Sequence, residues 1–517
     1  MRGGILSSQT GFLSGPTRMS RGILGNTVIV SGTRYVSLGF GMARNLFVAW
    51  LFGPENFSYW ILFLLVLQYA DQVHLGLRLA GDVEIPRLRG AGDEATADTT
   101  ARTLLAGIIA LTAGAAILAA LGSLVLFLRG GTIGEYDTGI LAWGLLVVSA
   151  TLLADQVGRY HHMILRTRKE FAVLGISESA SDISRALLVV VFGWVFGLAG
   201  GFLAHLCASI GMASFLHFRG NAQRGLLWNR SRLRSLFETG LPLFVSYTAY
   251  FFIISIDRVA GGLVLGNREF ALYGFATTVM LLPVLTSHGL RDVLIPTFGE
   301  RYGAGGAVDV APIFLRGSRA VAFMIPPITA VVLFGTEAVV GAGMPAYTGS
   351  LGVMALLTPG IALMALASLP VIALMIMGRS WSLLLLEAVA IAAAAIVYVL
   401  LPETVAPMHR LAIGTSVLYA VYGLSTFILT LRSCARTPRQ IARDVITVAT
   451  PIAVTIVLVL ILDRVWHAEN ASPYLMIGIP IAKAALFAAA YTGFLYITRE
   501  LSEIGPTVRT ILNRRAS

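Results

Sequence analysis

Apolar runs, separated by short polar connections, follow one another along almost the whole chain. Runs of about 20 residues match a hydrocarbon layer roughly 30 Å thick, because an α-helix rises about 1.5 Å per residue. The pattern therefore predicts an all-α, polytopic membrane protein with about fourteen transmembrane helices. We place them at 22–49, 56–80, 102–128, 138–160, 171–195, 198–217, 238–265, 269–296, 312–335, 350–377, 381–401, 408–431, 444–462 and 475–497.

The chain repeats part of itself at a shift of 213 positions. In the first copy, two predicted helices meet at a tight turn, LFGPEN, and the second is followed by a loop that contains EIPRLRG. The shift superposes Gly53 on Gly266, Phe57 on Phe270, Trp60 on Tyr273 and 76–78 on 289–291. Agreement in one register across a turn and a distant loop indicates an internal repeat. It predicts two pseudo-symmetric six-helix lobes, followed by two extra C-terminal helices.

Arginine and lysine are concentrated in alternate connections between the predicted helices. By the positive-inside rule the rich side is cytoplasmic, which places both termini in the cytoplasm. The basic connection between the lobes is either a plain positive-inside loop or an amphipathic linker on the anionic inner surface. The predicted division is a cytoplasmic N-terminal segment 1–21, an N-lobe 22–217, a basic cytoplasmic linker 218–237, a C-lobe 238–431, helices thirteen and fourteen in 432–497, and a cytoplasmic tail 498–517.

Composition excludes several classes of function. With 56% hydrophobic and 13% charged residues, the chain is not an ordinary soluble protein. The two cysteines, Cys207 and Cys434, predict neither a disulfide framework nor a metal site. The net charge of +11 could suggest nucleic acid, but membrane topology explains arginines that lie between apolar spans. Motifs for ATP hydrolysis and for nucleophilic or metal-dependent catalysis are missing, so we expect a transporter without a cofactor rather than an enzyme.

Charged residues also lie inside the predicted spans, where each costs about 2.5–3.5 kcal/mol or more if it faces lipid. Most of them must therefore face one another or a wet cavity. In the second predicted helix, Asp71 and Arg78 share one face because seven positions are close to two helical turns. Mutual ion pairing is favoured between the fourth and fifth helices, through Asp155, Arg159, Glu178, Asp182 and Arg185.

The first predicted helix is different because it carries Arg34 and Arg44 but no acidic residue. The repeat shift places Arg44 on Asp257. This favours either an Arg–Asp pair across the pseudo-symmetry axis or a functional charge in a cavity. Lys483, in the last predicted helix, either snorkels towards the surface or lines a groove.

Three stretches carry a resemblance to a known family: LFGPENFSYW, HLGLRLAGDVEIPRLRG and ETGLPLFVSYTAYFFIISIDRVAGGLVLG. Together they resemble the polysaccharide (Wzx-type, lipid-linked oligosaccharide) flippases of the multidrug/oligosaccharidyl-lipid/polysaccharide (MOP) exporter superfamily. The likeness extends over nearly the whole chain, and the conjunction of motifs carries it rather than any single one. The chain departs from the family pattern where FSYW replaces F-G-x-Y, which leaves Trp60 at the aromatic position.

The resemblance implies two lobes around a central cavity that opens alternately to each side of a bacterial cytoplasmic (inner) membrane. The implied substrate is an undecaprenyl-diphosphate-linked oligosaccharide, flipped to the periplasmic leaflet for O-antigen, capsule or exopolysaccharide assembly. Arginine suits a diphosphate because its planar fork matches phosphate oxygens. We assign phosphate or gate contacts to Arg34, Arg44, Arg78 and Arg291. We assign charge balance or ion coupling to Asp71 and Asp257, and sugar contacts to Tyr35, Tyr247, Tyr250 and Trp60.

The expected partners are the lipid-linked oligosaccharide, membrane lipid, a polysaccharide polymerase and a chain-length regulator, and not nucleic acid. Two alternatives stay open within the superfamily: a lipid II flippase for peptidoglycan and a drug/cation antiporter. The antiporter is less favoured because it would need acidic residues rather than arginines in the first helix. A membrane glycosyltransferase is a third class, and the short outer loops disfavour it.

Overall fold

The computed structural model describes residues 17–168, 170–219, 225–465 and 473–498, with side chains from residue 36 onward except at 171–172, 246, 249, 292–293, 296 and 473–475. The α-helices of these ranges are α1 Thr17–Ala70, α2 Leu77–Gly90, α3 Glu94–Arg129, α4 Thr138–Thr167, α5 Phe171–Arg219, α6 Arg230–Ile253, α7 Ile256–Val264, α8 Asn267–Met280, α9 Leu282–Gly305, α10 Ala307–Gly343, α11 Gly349–Ile376, α12 Ser380–Leu400, α13 Pro407–Ser433, α14 Pro438–Val465 and α15 Pro473–Ile497. Short 3-10 helices lie at Asp71–His74 and Pro345–Tyr347, and a small hairpin is formed by β1 (Thr132–Ile133) and β2 (Tyr136–Asp137).

Helix α1 is a hairpin of two antiparallel segments rather than a straight rod. Trp60 donates from Nε1 to Asn45 Oδ1 at 3.5 Å, although a straight helix would separate these residues by about 22 Å. The chain reverses at Gly53, whose φ of 69° lies in the left-handed region that favours glycine, and Pro54 then opens the second segment. The tight turn predicted at LFGPEN is confirmed.

Helix α5 reverses in the same way at Gly197, where φ is 64°. Arg185 donates from Nη2 to Ser209 Oγ at 3.4 Å, whereas a straight helix would place these residues about 36 Å apart. The two segments of α5 correspond to the fifth and sixth predicted helices. The hairpin brings charged and hydroxyl side chains of both segments to the interior of the lobe.

Twelve segments of the described chain are long and apolar enough to cross a membrane. Two of them, Val36–His74 and Val173–Arg219, contain the hairpins and cross twice, so the twelve segments make fourteen crossings. Large apolar side chains such as Leu118, Phe127 and Leu128 are exposed on their outer faces, as expected for surfaces in contact with lipid. The predicted fold class, an all-α polytopic membrane protein with about fourteen transmembrane helices, is confirmed.

The helices pack as two lobes. In the first, which we call the N-lobe (α1–α5), α1 and α4 both pack against α5, and α3 packs against α4. In the second, the C-lobe (α6–α13), α11 packs against α9, α10 and α13, and α12 packs against α13. Helices α14 and α15 pack against α10 of the C-lobe. The predicted pair of lobes with two extra C-terminal helices is therefore present.

The prediction of a loop after the second predicted helix is wrong, because this stretch forms helix α2. The second segment of α1 ends at Ala70, and a 3-10 turn with Gly76 at φ 86° leads into α2. Leu77, Ala80 and Ile85 of α2 are buried on one apolar face that packs with α3 and α6. This burial stabilises a helix that the Gly- and Pro-containing sequence did not indicate.

Helices seven and eight of the prediction are each divided in the structure. Helix α6 begins at Arg230, inside the predicted linker, because the side chain of Asn229 caps it by accepting from the backbone N–H of Arg232 at 3.0 Å. It is followed by the separate helix α7, and the eighth predicted helix is divided into α8 and α9. Residues 220–224 of the predicted linker lie outside the described residues.

Candidate substrate pathway between the lobes

The two lobes meet tightly at the end of the molecule where the β1–β2 hairpin lies, which we call the hairpin end. The ring of Phe57 in α1 is 6.3 Å from Phe275 in α8 and 6.0 Å from Tyr347, measured between centroids. Tyr347 also donates its hydroxyl to the carbonyl oxygen of Ala49 at 3.0 Å. The carboxylate of Glu135 accepts from the backbone N–H of Asn267 at 2.6 Å. These contacts close the hairpin end.

The lobes also meet at the opposite end, which we call the α2 end. Gly76 and Gly240 are in backbone contact, and a Cβ added to either would overlap the carbonyl group of the other. The ring of His74 lies edge-on to Phe244 of α6, with centroids 5.8 Å apart. Because glycine alone permits this approach of two backbones, the α2 end is closed as well.

A small cavity lies between the lobes and extends along α1 from Phe57 to Gln68. Its volume is about 40 Å³, room for a few water molecules but not for a sugar. The polar residues of its wall are Asn45, Trp60 and Gln68 from α1, Arg258 from α7 and Thr278 from α8. Among the described residues, the lobes are thus in contact at both ends, and polar groups of both lobes face the cavity between them.

Arg258 contributes the positive charge of this cavity wall. Its side chain is 11% exposed, Nη2 donates to the carbonyl oxygen of Ile254 at 2.6 Å, and Nε lies 4.0 Å from Asp257 Oδ1. Nε has no hydrogen-bond partner among the described residues. Close to it, the hydroxyls of Tyr69 in the N-lobe and Ser255 in the C-lobe are 3.0 Å apart. A buried guanidinium with spare donor capacity thus lies at the lobe interface.

Asp71 lies at the centre of a charged cluster on the N-lobe side. Arg159 Nε lies 3.0 Å from Asp71 Oδ1, and both terminal nitrogens of Arg78 are 3.4 Å from the carboxylate oxygens. Gln156 donates from Nε2 to the same carboxylate at 3.0 Å. One carboxylate therefore joins two arginines and an amide from α2 and α4, and it partly offsets the positive charge of this surface.

A second N-lobe pair joins α4 and α5. Arg185 Nη2 lies 3.4 Å from Asp155 Oδ1, and both side chains are 17% exposed. Arg185 Nη1 lies 4.0 Å from Asp182 Oδ1. The predicted ion pairing between the fourth and fifth helices is confirmed for these residues, whereas Arg159 pairs with Asp71 of the second helix instead.

Arg44 has no carboxylate partner within ion-pair distance in the part of the chain that the structure describes. Its Nη2 donates weakly to Asn45 Oδ1 at 3.4 Å, and its guanidinium carbon lies 6.0 Å from the centroid of the Trp60 ring. Its Nε is buried and has no hydrogen-bond partner among the described side chains. The charges that act on it are those of Arg185 and Asp182. Arg44 is thus a half-buried cation beside an aromatic residue of the cavity wall.

The Arg–Asp pair between Arg44 and Asp257, which the repeat favoured as one alternative, is not formed. Asp257 is 3% exposed and instead accepts from the hydroxyl of Tyr273 at 2.9 Å, with Arg258 next to it. Tyr273 in turn lies 2.8 Å from the Thr415 hydroxyl, so the Asp257 network stays within the C-lobe. The two residues are equivalent in the repeat, but the described contacts of each side chain lie within its own lobe.

The remaining predicted site residues are distributed around the interface. Tyr250 is 2.8 Å from His288 Nε2 and within electrostatic reach of Arg291. Tyr247 of α6 is 50% exposed. Arg34 and Tyr35 lie in helix α1, but their side chains are outside the described residues. Roles of these residues in binding stay predictions.

Lys483 neither snorkels nor lines an open groove. Its side chain is 1% exposed, and Nζ donates to Glu337 Oε1 of α10 at 2.8 Å and to Asp463 Oδ1 of α14 at 3.2 Å. A charge buried this deeply requires such partners. Lys483 therefore ties α15 to both neighbouring helices.

Sequence reasoning missed Arg258, Gln68 and Asn45 as residues of the cavity wall. Arg258 lies as a charge inside a predicted span, which was the signal that could have found it. Gln68 shares a helix face with Asp71, which was the available signal. Among the described residues, no group of three His, Cys, Asp or Glu side chains could hold a metal ion.

Comparison with known proteins supports the interpretation of this fold. Residues 110–343 match the model of a family described as "Polysaccharide biosynthesis protein". Comparison with the curated protein sequences gives no match.

Several solved structures have a similar fold. A lipid II flippase, MurJ, in an inward closed conformation superposes with a TM-score of 0.71 at 14% identity, over 92% of this chain and 99% of that one. An inward-facing multidrug resistance MATE family transporter of the MOP superfamily gives 0.65 at 18% identity, over 79% and 98%. A MOP superfamily transporter from Pyrococcus furiosus gives 0.53 at 17% identity, over 81% and 97%.

The membrane-spanning helices and the two lobes define this chain as a multi-pass membrane protein with the fold of these transporters. The fold is similar to that of solved MOP superfamily transporters, and residues 110–343 are similar to a polysaccharide biosynthesis family. The resemblance found in the sequence motifs is thereby confirmed.

Proposed function

We propose that this chain flips an undecaprenyl-diphosphate-linked oligosaccharide from the cytoplasmic to the periplasmic leaflet of a bacterial inner membrane. The product would supply the assembly of O-antigen, capsule or exopolysaccharide. The observation that carries the proposal is a pair of guanidinium groups, Arg258 in the cavity wall and Arg44 beside Trp60 of that wall. Each has a buried Nε that lacks a partner among the described residues. The family match to a polysaccharide biosynthesis protein supports the same substrate class.

A diphosphate needs cationic donors in a space from which water is largely excluded. Arginine meets this need because its guanidinium stays charged and donates two parallel hydrogen bonds to phosphate oxygens. In the structure, Arg44 makes a weak hydrogen bond to Asn45 and lies beside the Trp60 ring. A phosphate that binds Arg44 would therefore have to replace only weak interactions. Arg78 and Arg291 would contact the diphosphate when one end of the interface opens. Tyr247 and Tyr250 can contact sugar hydroxyls, while the lipid tail stays in hydrocarbon.

The arginine distribution favours a cytoplasmic α2 end and a periplasmic hairpin end, so export would begin at the α2 end. Opening at the Gly76–Gly240 contact would admit the headgroup, and opening at the Phe57–Phe275–Tyr347 contact would release it. Asp71 and Asp257 are candidates for coupling this cycle to an ion gradient, because each carboxylate is held beside an arginine at the lobe interface.

Depletion of the protein in its native host tests the substrate class. We expect undecaprenyl-diphosphate-linked oligosaccharide to accumulate in the inner leaflet and surface polysaccharide to disappear, while peptidoglycan synthesis continues. Restoration by the wild-type gene and by the surface variant Arg234→Ala, but not by Arg44→Ala, would link the defect to the interface; Arg234 is an exposed residue that pairs only with Glu238 among its described neighbours. Unchanged surface polysaccharide after depletion would refute the proposal.

A lipid II flippase is the second candidate, because the MurJ structure superposes over nearly the whole chain. Lipid II is also a polyprenyl diphosphate, so the same arginines would serve. The depletion experiment separates the two: loss of wall synthesis and cell lysis, with lipid II accumulating, would favour the second candidate.

A further inference from the structure

A second basic cavity lies away from the lobe interface, between α10 and the first turns of α14. Its volume is about 310 Å³, several times that of the cavity between the lobes. Three arginines from three different segments line it: Arg319 of α10, Arg436 of the connection before α14, and Arg443 of α14. Three like charges around one cavity repel one another in a low-dielectric surrounding, and a bound anion would reduce this repulsion.

The acidic residue that lines this cavity, Asp444, balances part of the charge. Arg436 holds Asp444 by two contacts to Oδ2, from Nη2 at 2.8 Å and from Nε at 3.2 Å. Asp444 is paired with Arg436, so Arg443 adds a positive charge to the cavity wall that this aspartate does not neutralise. The first turn of α14 adds the partial positive charge of a helix N-terminus. The cavity is therefore suited to an anion.

The rest of the lining consists of two apolar residues, Leu315 on α10 and Val448 on α14, and the hydroxyl-bearing Thr447. One turn away, Ile446 is 64% exposed on the outer surface of α14, where the membrane-spanning part of the helix begins. A ligand held here thus has its charged part against arginines and a neighbouring apolar surface along α14. The arginine distribution assigns this end of α10 and α14 to the cytoplasmic side, at the level of lipid headgroups.

We propose that this cavity binds the phosphate headgroup of an anionic phospholipid of the inner leaflet, with an acyl chain along α14. The site is separate from the substrate pathway, and it stabilises the contact between α14 and the C-lobe by bridging Arg319 and Arg443. A free phosphate ion shares the headgroup chemistry, but it lacks the acyl chain that the apolar surface beside the arginines accommodates.

Native mass spectrometry of the purified full-length protein tests this proposal by titration with phosphatidylglycerol, with phosphatidylethanolamine, or with inorganic phosphate. We expect phosphatidylglycerol to bind preferentially, and Arg443→Gln and Arg319→Gln each to weaken it roughly fivefold, as for one arginine near an anionic lipid. Asp444→Asn removes the competing carboxylate and should strengthen binding, a gain that misfolding cannot mimic. Arg464→Gln, which removes the same charge at the other end of α14, serves as the matched control.

Three results would overturn the proposal. One is phosphatidylethanolamine binding as tightly as phosphatidylglycerol. Another is Arg464→Gln weakening phosphatidylglycerol as much as Arg443→Gln does. The third is inorganic phosphate displacing phosphatidylglycerol at equal concentration, which would assign the site to a soluble anion instead.

Discussion

Gly76 of the N-lobe and Gly240 of the C-lobe touch through their backbones, and neither position has room for a methyl group. Replacing Gly240 by alanine should therefore prevent full closure of the α2 end. Alanine is favoured over glycine inside a helix by about 0.5–1 kcal/mol, so a loss of closure would come from the steric overlap and not from weaker helix formation.

Closure can be measured with a cysteine at Gln68 in a protein whose Cys207 and Cys434 are replaced by alanine. A membrane-impermeant maleimide added from the α2 end should label this cysteine faster in the Gly240→Ala variant. Gly114→Ala is the control, because a Cβ at Gly114 would meet nothing within 4 Å. Equal labelling of the two variants would show that the glycine contact does not govern closure.

Glu135 makes the matching contact at the hairpin end. Its carboxylate accepts from the backbone N–H of Asn267 at the start of α8, where the helix dipole favours a negative charge. Glu135→Gln keeps the shape but weakens the bond by about 1 kcal/mol, which shifts the open population roughly fivefold. Labelling of a cysteine at Asn45 from the hairpin end should rise accordingly. The exposed Glu403→Gln serves as the control, and no difference between the two variants would remove Glu135 from the gate.

Arg44 should be required for transport but not for folding. The described hydrogen bond of Arg44 is the weak contact to Asn45 at 3.4 Å. Removing it in Arg44→Ala should therefore change the free energy of unfolding by no more than about 1 kcal/mol. Transport should fall at least tenfold, the equivalent of about 1.4 kcal/mol, and Arg44→Lys should retain part of it, because lysine supplies charge without the planar fork. Polymer output and thermal unfolding measure the two effects. Full output from Arg44→Ala would contradict the assignment.

Lys483 should be required for stability. Lys483→Met leaves Glu337 and Asp463 without the cation that binds both, and breaking such a buried pair costs about 3 kcal/mol. Adding Glu337→Leu to Lys483→Met should recover part of the lost stability. The double variant no longer buries the Glu337 carboxylate beside an apolar methionine. Thermal unfolding of the two single variants and the double variant gives the coupling. Strictly additive losses would mean that Lys483 and Glu337 do not act as a pair.

Much of the fold could be predicted from the sequence because lipid imposes simple rules on it. Span length fixed the helix positions, and glycine beside proline marked the reversal at Gly53. Helix α2 could not be predicted in this way, because its stability comes from burial of Leu77 and Ile85 against helices distant in the chain. The same limit applies to the contact between the lobes at the hairpin end. Ala49 and Tyr347 are 298 positions apart, and the sequence around one residue does not indicate the other.

The sequence predicted which types of residue form the candidate site better than it predicted which of them pair with one another. Buried charge predicted that Asp71 and Arg78 would have partners, and it left Arg44 either paired with Asp257 or facing a cavity. The partner of Arg159 and the position of Arg258 in the cavity wall depend on the rotation of α4 and α7, which sequence spacing does not define.

Reconstitution of the purified protein into proteoliposomes tests the central proposal most directly. The vesicles contain an undecaprenyl-diphosphate-linked oligosaccharide in both leaflets, and a membrane-impermeant glycosidase is added outside. With wild-type protein we predict that nearly all of the oligosaccharide is cleaved, because the inner half is flipped outwards, whereas Arg44→Ala and protein-free vesicles stop near one half. Cleavage that stops near one half with wild-type protein, under an imposed ion gradient or membrane potential of either sign, would contradict the account.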